Sequence, residues 1–178
     1  LAVAMPVVAQ VQARTLATGL EHPWAVAFLP EGRFLVTERP GRMRVVEADG
    51  QLGVPLQGLP QVVARGQGGL LDVVLDSGFA TNRTLYFCFS EPGRSGTSST
   101  ALARAELAPD RAALQRVQVI FSQRPRVRSR LHFGCRIAER TVDGRSDGTL
   151  FLTLGERFSK RDSAQKLDNH HGKVVRIG

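Results

Sequence analysis

The run Leu70-Leu-Asp-Val-Val-Leu75, with Thr84-Leu-Tyr-Phe-Cys-Phe89 and Ala101-Leu-Ala-Arg-Ala-Glu-Leu107 after it, decides the fold. Each run is short and rich in apolar residues, and polar segments with Gly, Ser or Asn separate one run from the next. This spacing predicts consecutive antiparallel strands and not helices. The three runs therefore predict one sheet built from neighbouring segments of the chain.

The same pattern occurs once before this sheet and once after it. The second strands of the three groups align at Phe34, Leu85 and Leu150, so the repeat lengths are 51 and 65 residues. Repeats of this size, with short strands, Gly/Asp turns and no helical stripe, are typical of β-propeller blades. A β-sandwich is the alternative, but its strands usually recur about every 8 to 12 residues without a larger repeat. The strands expected outside the central sheet are 24–29, 33–38, 42–47, 136–138, 149–154 and 173–177.

Three blades are too few to close a ring. Each blade of a propeller buries both faces against its neighbours, so an open three-blade piece would expose two apolar faces. We therefore expect residues 14–178 to be an incomplete part of a β-propeller, cut at its C-terminus.

The first residues resemble the end of a secretory signal. An apolar run covers 1–9, and Val11 and Ala13 are the small residues that a signal peptidase prefers. We interpret 1–13 as a signal remnant and the protein as periplasmic or secreted; a buried first strand over 1–8 is the alternative. No later stretch has the roughly 18 apolar residues of a membrane span.

Composition narrows the function classes. The chain has 178 residues, 42% of them apolar, and a net charge of +8. A globular protein fits these values, and low-complexity disorder does not. The basic residues are mainly scattered arginines without aromatic platforms among them, which argues against nucleic-acid binding. In the one basic run, Arg124, Arg126, Arg128 and Arg130 alternate with other residues. An extended backbone would put them on one side, as a solvated edge or, less favoured, as an anion site.

The two cysteines, Cys88 and Cys135, lie 47 residues apart. They can pair in an oxidising compartment, but the sequence does not fix a pairing. Two small buried thiols are the expectation.

Two segments can carry chemistry. His132 follows an arginine-rich approach and comes just before a strand, where an imidazole at the channel mouth would act as a base near neutral pH. Gln67 lies between glycines at the equivalent entry of the central sheet, where it could contact a ligand. A structural hydrogen bond for the histidine and a tight turn for the glutamine remain the alternatives.

Two further groups are weaker candidates. His170 and His171 are adjacent, so their side chains diverge on an extended backbone, and a turn is predicted there instead of a metal site. Glu156 follows a strand and could face the channel, but a local ion pair with Arg157 or Arg161 is the favoured interpretation.

Several motifs together resemble the soluble PQQ-dependent glucose/sorbosone (aldose sugar) dehydrogenases. The resemblance runs from about residue 19 to the end of the chain, and its motifs come in the order of that family. They are His22-Pro-Trp-Ala-Val-Ala-Phe-Leu-Pro30, Gly66-Gln-Gly-Gly-Leu-Leu-Asp-Val73, His132-Phe-Gly-Cys-Arg136, Leu154-Gly-Glu156, and Ala164-Gln-Lys-Leu167 with Gly172-Lys-Val-Val-Arg-Ile177.

The resemblance implies a six-bladed propeller that holds PQQ and calcium at the channel mouth. It implies that His132 takes the proton of the anomeric hydroxyl while the C1 hydride moves to the quinone, and that Gln67 lies beside the cofactor. It also implies an aldose substrate and an external electron acceptor. The calcium ligands and the remaining cofactor contacts are expected beyond Gly178.

Two departures from the family pattern affect this expectation. Leu131 stands where some relatives carry an Asp or Asn that can orient the histidine, and the polar stretch 139–146 replaces an expected strand continuation. A non-catalytic propeller that serves as a binding module, or a calcium-dependent lactonase-like propeller, are the alternative functions. The sequence does not indicate the oligomeric state.

Overall fold

The computed structural model describes residues 11–178, which form three antiparallel sheets. The interpretation of 1–13 as a signal remnant falls almost wholly outside the described residues. The three sheets have the strand orders β1-β2-β3, β4-β5-β6-β7 and β10-β9-β8. The strands are β1 Pro23–Phe28, β2 Phe34–Glu38, β3 Arg42–Val46, β4 Leu70–Leu75, β5 Thr84–Pro92, β6 Ser98–Leu107, β7 Leu114–Ser122, β8 Gly134–Val142, β9 Arg145–Leu154 and β10 Val174–Ile177. One short helix, α1 Phe79–Asn82, joins β4 to β5.

The sheets stack face to face as successive blades. The first strand of each sheet lies next to that of the following sheet, so β1 contacts β4 and β4 contacts β8. Within a sheet, each strand pairs with the one that follows it in the chain. This arrangement confirms the predicted all-β fold, an incomplete propeller of three blades.

Two apolar layers hold the blades together, one on each face of the central sheet. Alternation along β5 directs Leu85, Phe87 and Phe89 into the layer shared with the first sheet. Cys88 points the opposite way, into the layer shared with the third sheet. The central blade is therefore buried on both faces, which explains why its strands are nearly continuous apolar runs.

The polar stretch 139–146 does not interrupt the third blade. It forms the end of a hairpin, in which β8 continues to Val142 and β9 begins at Arg145. The tip is Asp143-Gly144, both with positive φ angles of 51° and 75°, as a tight hairpin turn requires. The expectation of a broken strand is wrong because the outer part of this hairpin is exposed to solvent and needs no apolar side chains.

Cys88 and Cys135 form a disulfide bond, with their Cα atoms 6.1 Å apart. The expectation of two separate thiols is wrong. The bond joins β5 of the central sheet to β8 of the third sheet, inside their shared apolar layer. No helix in residues 11–178 is long and apolar enough to cross a membrane.

Candidate functional site

The structure brings Gln67 and His132 together, at the ends of the loops that enter β4 and β8. The backbone N–H of His132 donates to Oε1 of Gln67 at 2.8 Å, and the backbone N–H of Gln67 donates to the carbonyl of Arg130 at 2.8 Å. Both side chains are exposed. Two loops from neighbouring blades are thus tied to each other at one mouth of the propeller.

Two glycines permit this close approach. A Cβ on Gly66 would lie 2.5 Å from the carbonyl oxygen of Arg130, and one on Gly155 would lie 2.0 Å from that of His132. Either contact is too short for a real side chain, so a larger residue would push the loops apart. Gly66, beside Gln67, therefore serves loop packing as well as the turn that the sequence suggests, and Gly155 serves the packing of the loop after β9.

The ring of His132 contacts Glu156, which follows β9. Nδ1 of the imidazole is hydrogen-bonded to Oε1 of Glu156, and the edge of Phe158 packs against the ring with a centroid distance of 5.4 Å. The other oxygen of the carboxylate, Oε2, is buried and has no hydrogen-bond partner among the described residues. The expected ion pair of Glu156 with Arg157 or Arg161 is wrong, because its carboxylate turns toward the histidine.

This pair defines what the imidazole can do chemically. A carboxylate is a hydrogen-bond acceptor, so the neutral ring carries its proton on Nδ1 and leaves the lone pair of Nε2 free. The backbone of His132 has a φ of 48°, in the left-handed region that non-glycine residues seldom adopt. Such strain is found where a side chain must be held in one orientation. Glu156 supplies the orienting group that Leu131 lacks.

A buried arginine supports the loop that carries His132. The guanidinium of Arg157 donates to the carbonyls of Leu131, at 3.1 Å, and Ser129, at 2.6 Å, and its carbon lies 3.8 Å from the ring centroid of Phe133. It also donates to the carbonyl of Ser98 at 3.0 Å. Burial lowers the pKa of Arg157 to about 10, so the side chain stays charged at neutral pH.

Sequence reasoning missed this role for Arg157. A basic residue after a strand normally indicates a solvated side chain, and only the packing of 129–131 over it reveals the buried cation. The signal in the sequence is slight: a single arginine next to the Leu154-Gly-Glu156 motif.

The basic run divides into two parts. Arg126 forms an ion pair with Glu91, while Arg128 and Arg130 line an open cleft together with Arg65. We call this the arginine cleft. Its volume is about 710 Å³, and its walls include Phe158 and the neighbours of both Gln67 and His132.

The adjacent histidines form a turn, as predicted. His171 is buried, and its Nε2 lies 3.1 Å from the carbonyl of Pro125; Nδ1 of His170 accepts from the backbone N–H of Arg124 at 3.0 Å. Burial, followed by the nearby positive charges, lowers the pKa of His171. Across residues 11–178, no group of three or more His, Cys, Asp or Glu side chains could hold a metal ion.

A buried carboxylate links the first strands of two blades. Asp72 on β4 accepts from the backbone N–H of Ile137 at 2.8 Å and from the guanidinium of Arg136 at 3.2 Å. Burial raises the pKa of Asp72, and these hydrogen bonds only partly oppose that effect. With Trp24 it lines a small polar cavity between the inner strands.

Known proteins match nearly the whole of this chain, including the residues of the candidate site. The family model described as Glucose / Sorbosone dehydrogenase matches residues 20–178. Aldose sugar dehydrogenase YliI from Escherichia coli (strain K12) is 41% identical over 170 residues, covering 95% of this chain and 44% of that protein.

Solved structures agree with these matches. Soluble aldose sugar dehydrogenase from Escherichia coli in its apo-form is 42% identical with a TM-score of 0.80, covering 88% of this chain and 44% of that one. The PQQ-bound form of aldose sugar dehydrogenase from Streptomyces coelicolor is 28% identical with a TM-score of 0.76, covering 92% of this chain and 46% of that one. The chain thus spans a little under half the length of these relatives.

Proposed function

Because this chain belongs to the glucose/sorbosone dehydrogenase family, we propose that the full-length protein oxidises an aldose sugar at C1 with His132 as general base. The family is one of sugar oxidoreductases. The observation that supports the base is the His132–Glu156 pair, exposed at a propeller mouth and tied to Gln67.

The side chains divide the work as follows. Nε2 of His132 takes the proton of the anomeric hydroxyl, and Glu156 stabilises the imidazolium that results. The side-chain carbonyl oxygen of Gln67 accepts from the backbone N–H of His132, so the Nε2 amide group of Gln67 is free to donate to a ligand.

The relatives suggest the cofactor, since one of them was solved in a PQQ-bound form. PQQ, when bound, supplies the acceptor for the hydride that leaves C1. The residues present fit such a group, because Gln67 offers an amide donor where a flat molecule with carbonyl and carboxylate oxygens would lie beside His132. Residues 11–178 contain no group of three or more His, Cys, Asp or Glu side chains that could hold a metal ion, so we assign calcium no ligand among them.

We place the protein in the periplasm or outside the cell. The Cys88–Cys135 disulfide supports this location, since such bonds persist in oxidising compartments. An external electron acceptor completes the reaction, as the reduced cofactor must be reoxidised.

Reconstitution tests the proposal. The full-length protein with PQQ and calcium should reduce a dye when an aldose is supplied. His132→Asn should lower turnover by about 10² to 10⁴, the usual contribution of a general base. His22→Asn, at an exposed position, is the matched control.

Three outcomes would contradict it. No dye reduction with any aldose would favour a non-catalytic binding module, and lactone hydrolysis without PQQ would favour a lactonase-like enzyme. Full activity of His132→Asn would remove the histidine from the chemistry.

A further inference from the structure

We propose that the arginine cleft binds the anionic group of a small molecule that reacts at the His132 mouth. This inference rests on the proposed function and names a ligand class for the same mouth. The cleft lies between the loop that enters β4, the 128–131 segment and the turn after β9.

All the charged side chains that line the cleft are positive. Its twelve lining residues include Arg65, Arg128 and Arg130 and no Asp or Glu. The Nε of Arg128 donates to the carbonyl of Ser95 at 2.8 Å, which holds its guanidinium in place while the terminal nitrogens stay free. Within 11–178, none of the three forms an ion pair with a carboxylate, whereas Arg126 in the same run is neutralised by Glu91.

The walls of the cleft are held in a fixed shape. Buried Arg157 binds the carbonyls of Ser129 and Leu131 from beneath, and its charge is not neutralised by any carboxylate in the described part of the chain. The cation therefore adds to the positive potential of the cleft. An anion there would gain charge-assisted hydrogen bonds from the three guanidinium groups of the cleft.

The cleft lies next to the proposed catalytic histidine. Leu131 and Phe133, on either side of His132, line it, and so does Phe158, whose ring packs against the imidazole. The volume, about 710 Å³, lies within the range of small-molecule sites. A sugar ring against Phe158 and an acidic group on the arginines would occupy it together.

Two molecules of the proposed reaction could bring the anionic group: an acidic sugar as substrate, or an anionic electron acceptor. Equilibrium binding to the full-length protein without PQQ separates them. The probes are D-glucuronate, D-glucose 6-phosphate, neutral D-glucose, and the redox-inert hexacyanocobaltate(III) ion. Because no turnover is needed, a failure of the proposed oxidation does not decide the result.

We expect glucuronate or the sugar phosphate to bind more tightly than glucose, and Arg128→Gln or Arg130→Gln to weaken that binding about tenfold. Added salt should weaken it as well. Arg145→Gln, which removes the same charge from the exposed end of the third-blade hairpin, is the matched control and should change nothing. If Arg128→Gln and Arg130→Gln weakened only the binding of hexacyanocobaltate, the anion that the cleft binds would be the electron acceptor.

Three results would overturn the proposal. The first is that neither anion class binds more tightly than glucose. The second is that the control variant loses affinity as much as Arg128→Gln and Arg130→Gln do. The third is that these two variants lose affinity for PQQ itself, which would assign the cleft to the cofactor.

Discussion

Glu156 determines which nitrogen of His132 keeps a free lone pair. Its carboxylate can only accept a hydrogen bond, so it selects the Nδ1–H tautomer and leaves Nε2 as the proposed base. The sequence identified the histidine but not this partner, because 24 residues separate the two and only the pairing of β8 with β9 brings them together.

The variant Glu156→Gln tests whether the carboxylate of Glu156 sets the tautomer of His132. The amide has the same size but can donate as well as accept, so the histidine is no longer held in one tautomer. We expect aldose oxidation by the reconstituted full-length enzyme to fall about 10²-fold, and ¹⁵N NMR to show a mixed tautomer population for His132. Glu106→Gln, which breaks a surface pair with Arg116, is the control. An unchanged tautomer in Glu156→Gln would contradict the assignment.

His171 should make stability depend on pH. Its folded-state pKa lies below the ordinary histidine value, first because it is buried and then because Arg157, Lys160 and Lys173 are near. A group with a lowered folded pKa contributes stability that is complete above the unfolded pKa, about 6.5, and is lost as the pH falls through the folded value. The melting temperature should therefore drop on acidification below about pH 6.5.

The variant His171→Gln checks this origin. Glutamine can still donate to the carbonyl of Pro125, but it does not titrate. Thermal melts between pH 7 and pH 5 should show a flatter pH dependence for this variant than for the wild type. His22→Gln is the exposed control. Equal slopes for His171→Gln and wild type would assign the acid sensitivity elsewhere.

At the level of strands, alternation in the sequence predicted the faces correctly but not the partners across them. Period-two alternation in the run 84–89 puts Phe87 and Cys88 on opposite faces of the strand, and the two apolar layers confirm that separation. It did not reveal the disulfide, because the pairing of Cys88 with Cys135 depends on how β5 of one blade faces β8 of the next. The polar hairpin around Gly144 was missed for a related reason: an exposed hairpin end has no apolar alternation to detect.

The disulfide should stabilise the contact between the second and third blades. It closes a loop of 47 residues, which in the chain-entropy description corresponds to about 4 kcal/mol. We expect the double variant Cys88→Ser/Cys135→Ser to lower the free energy of unfolding of the full-length protein by about 2 to 4 kcal/mol in urea denaturation. Wild-type protein reduced before denaturation is the matched comparison. A midpoint that neither treatment moves would show that packing alone holds these blades.

At the scale of the whole molecule, the first blade presents an apolar face that no other described blade covers. Its β1 side chains Trp24, Val26 and Phe28 are 51%, 50% and 74% exposed. Phe34 on β2 lies against Phe28, with ring centroids 5.6 Å apart. The sequence predicted such a face, because its repeats account for only three blades and each blade of a closed propeller buries both of its faces. Its residues could not be assigned until the opposite side of β1 was seen to pack on β4.

Charged substitutions on this face should have opposite effects in residues 11–178 alone and in the full-length protein. Residues 11–178 produced alone should bind a hydrophobic dye and self-associate, and Val26→Lys/Phe28→Lys should reduce both effects, because the charges interrupt the apolar face. In the full-length protein, where a further blade would cover β1, the same pair of substitutions should lower the melting temperature, because two lysines would be buried without partners.

Light scattering measures the self-association of residues 11–178, and thermal melts measure the stability of the full-length protein. Val119→Lys on the outer strand β7, 41% exposed in the wild type, is the control for both. If Val26→Lys/Phe28→Lys left the full-length melting temperature unchanged, β1 would be an outer surface and the ring would not close upon it.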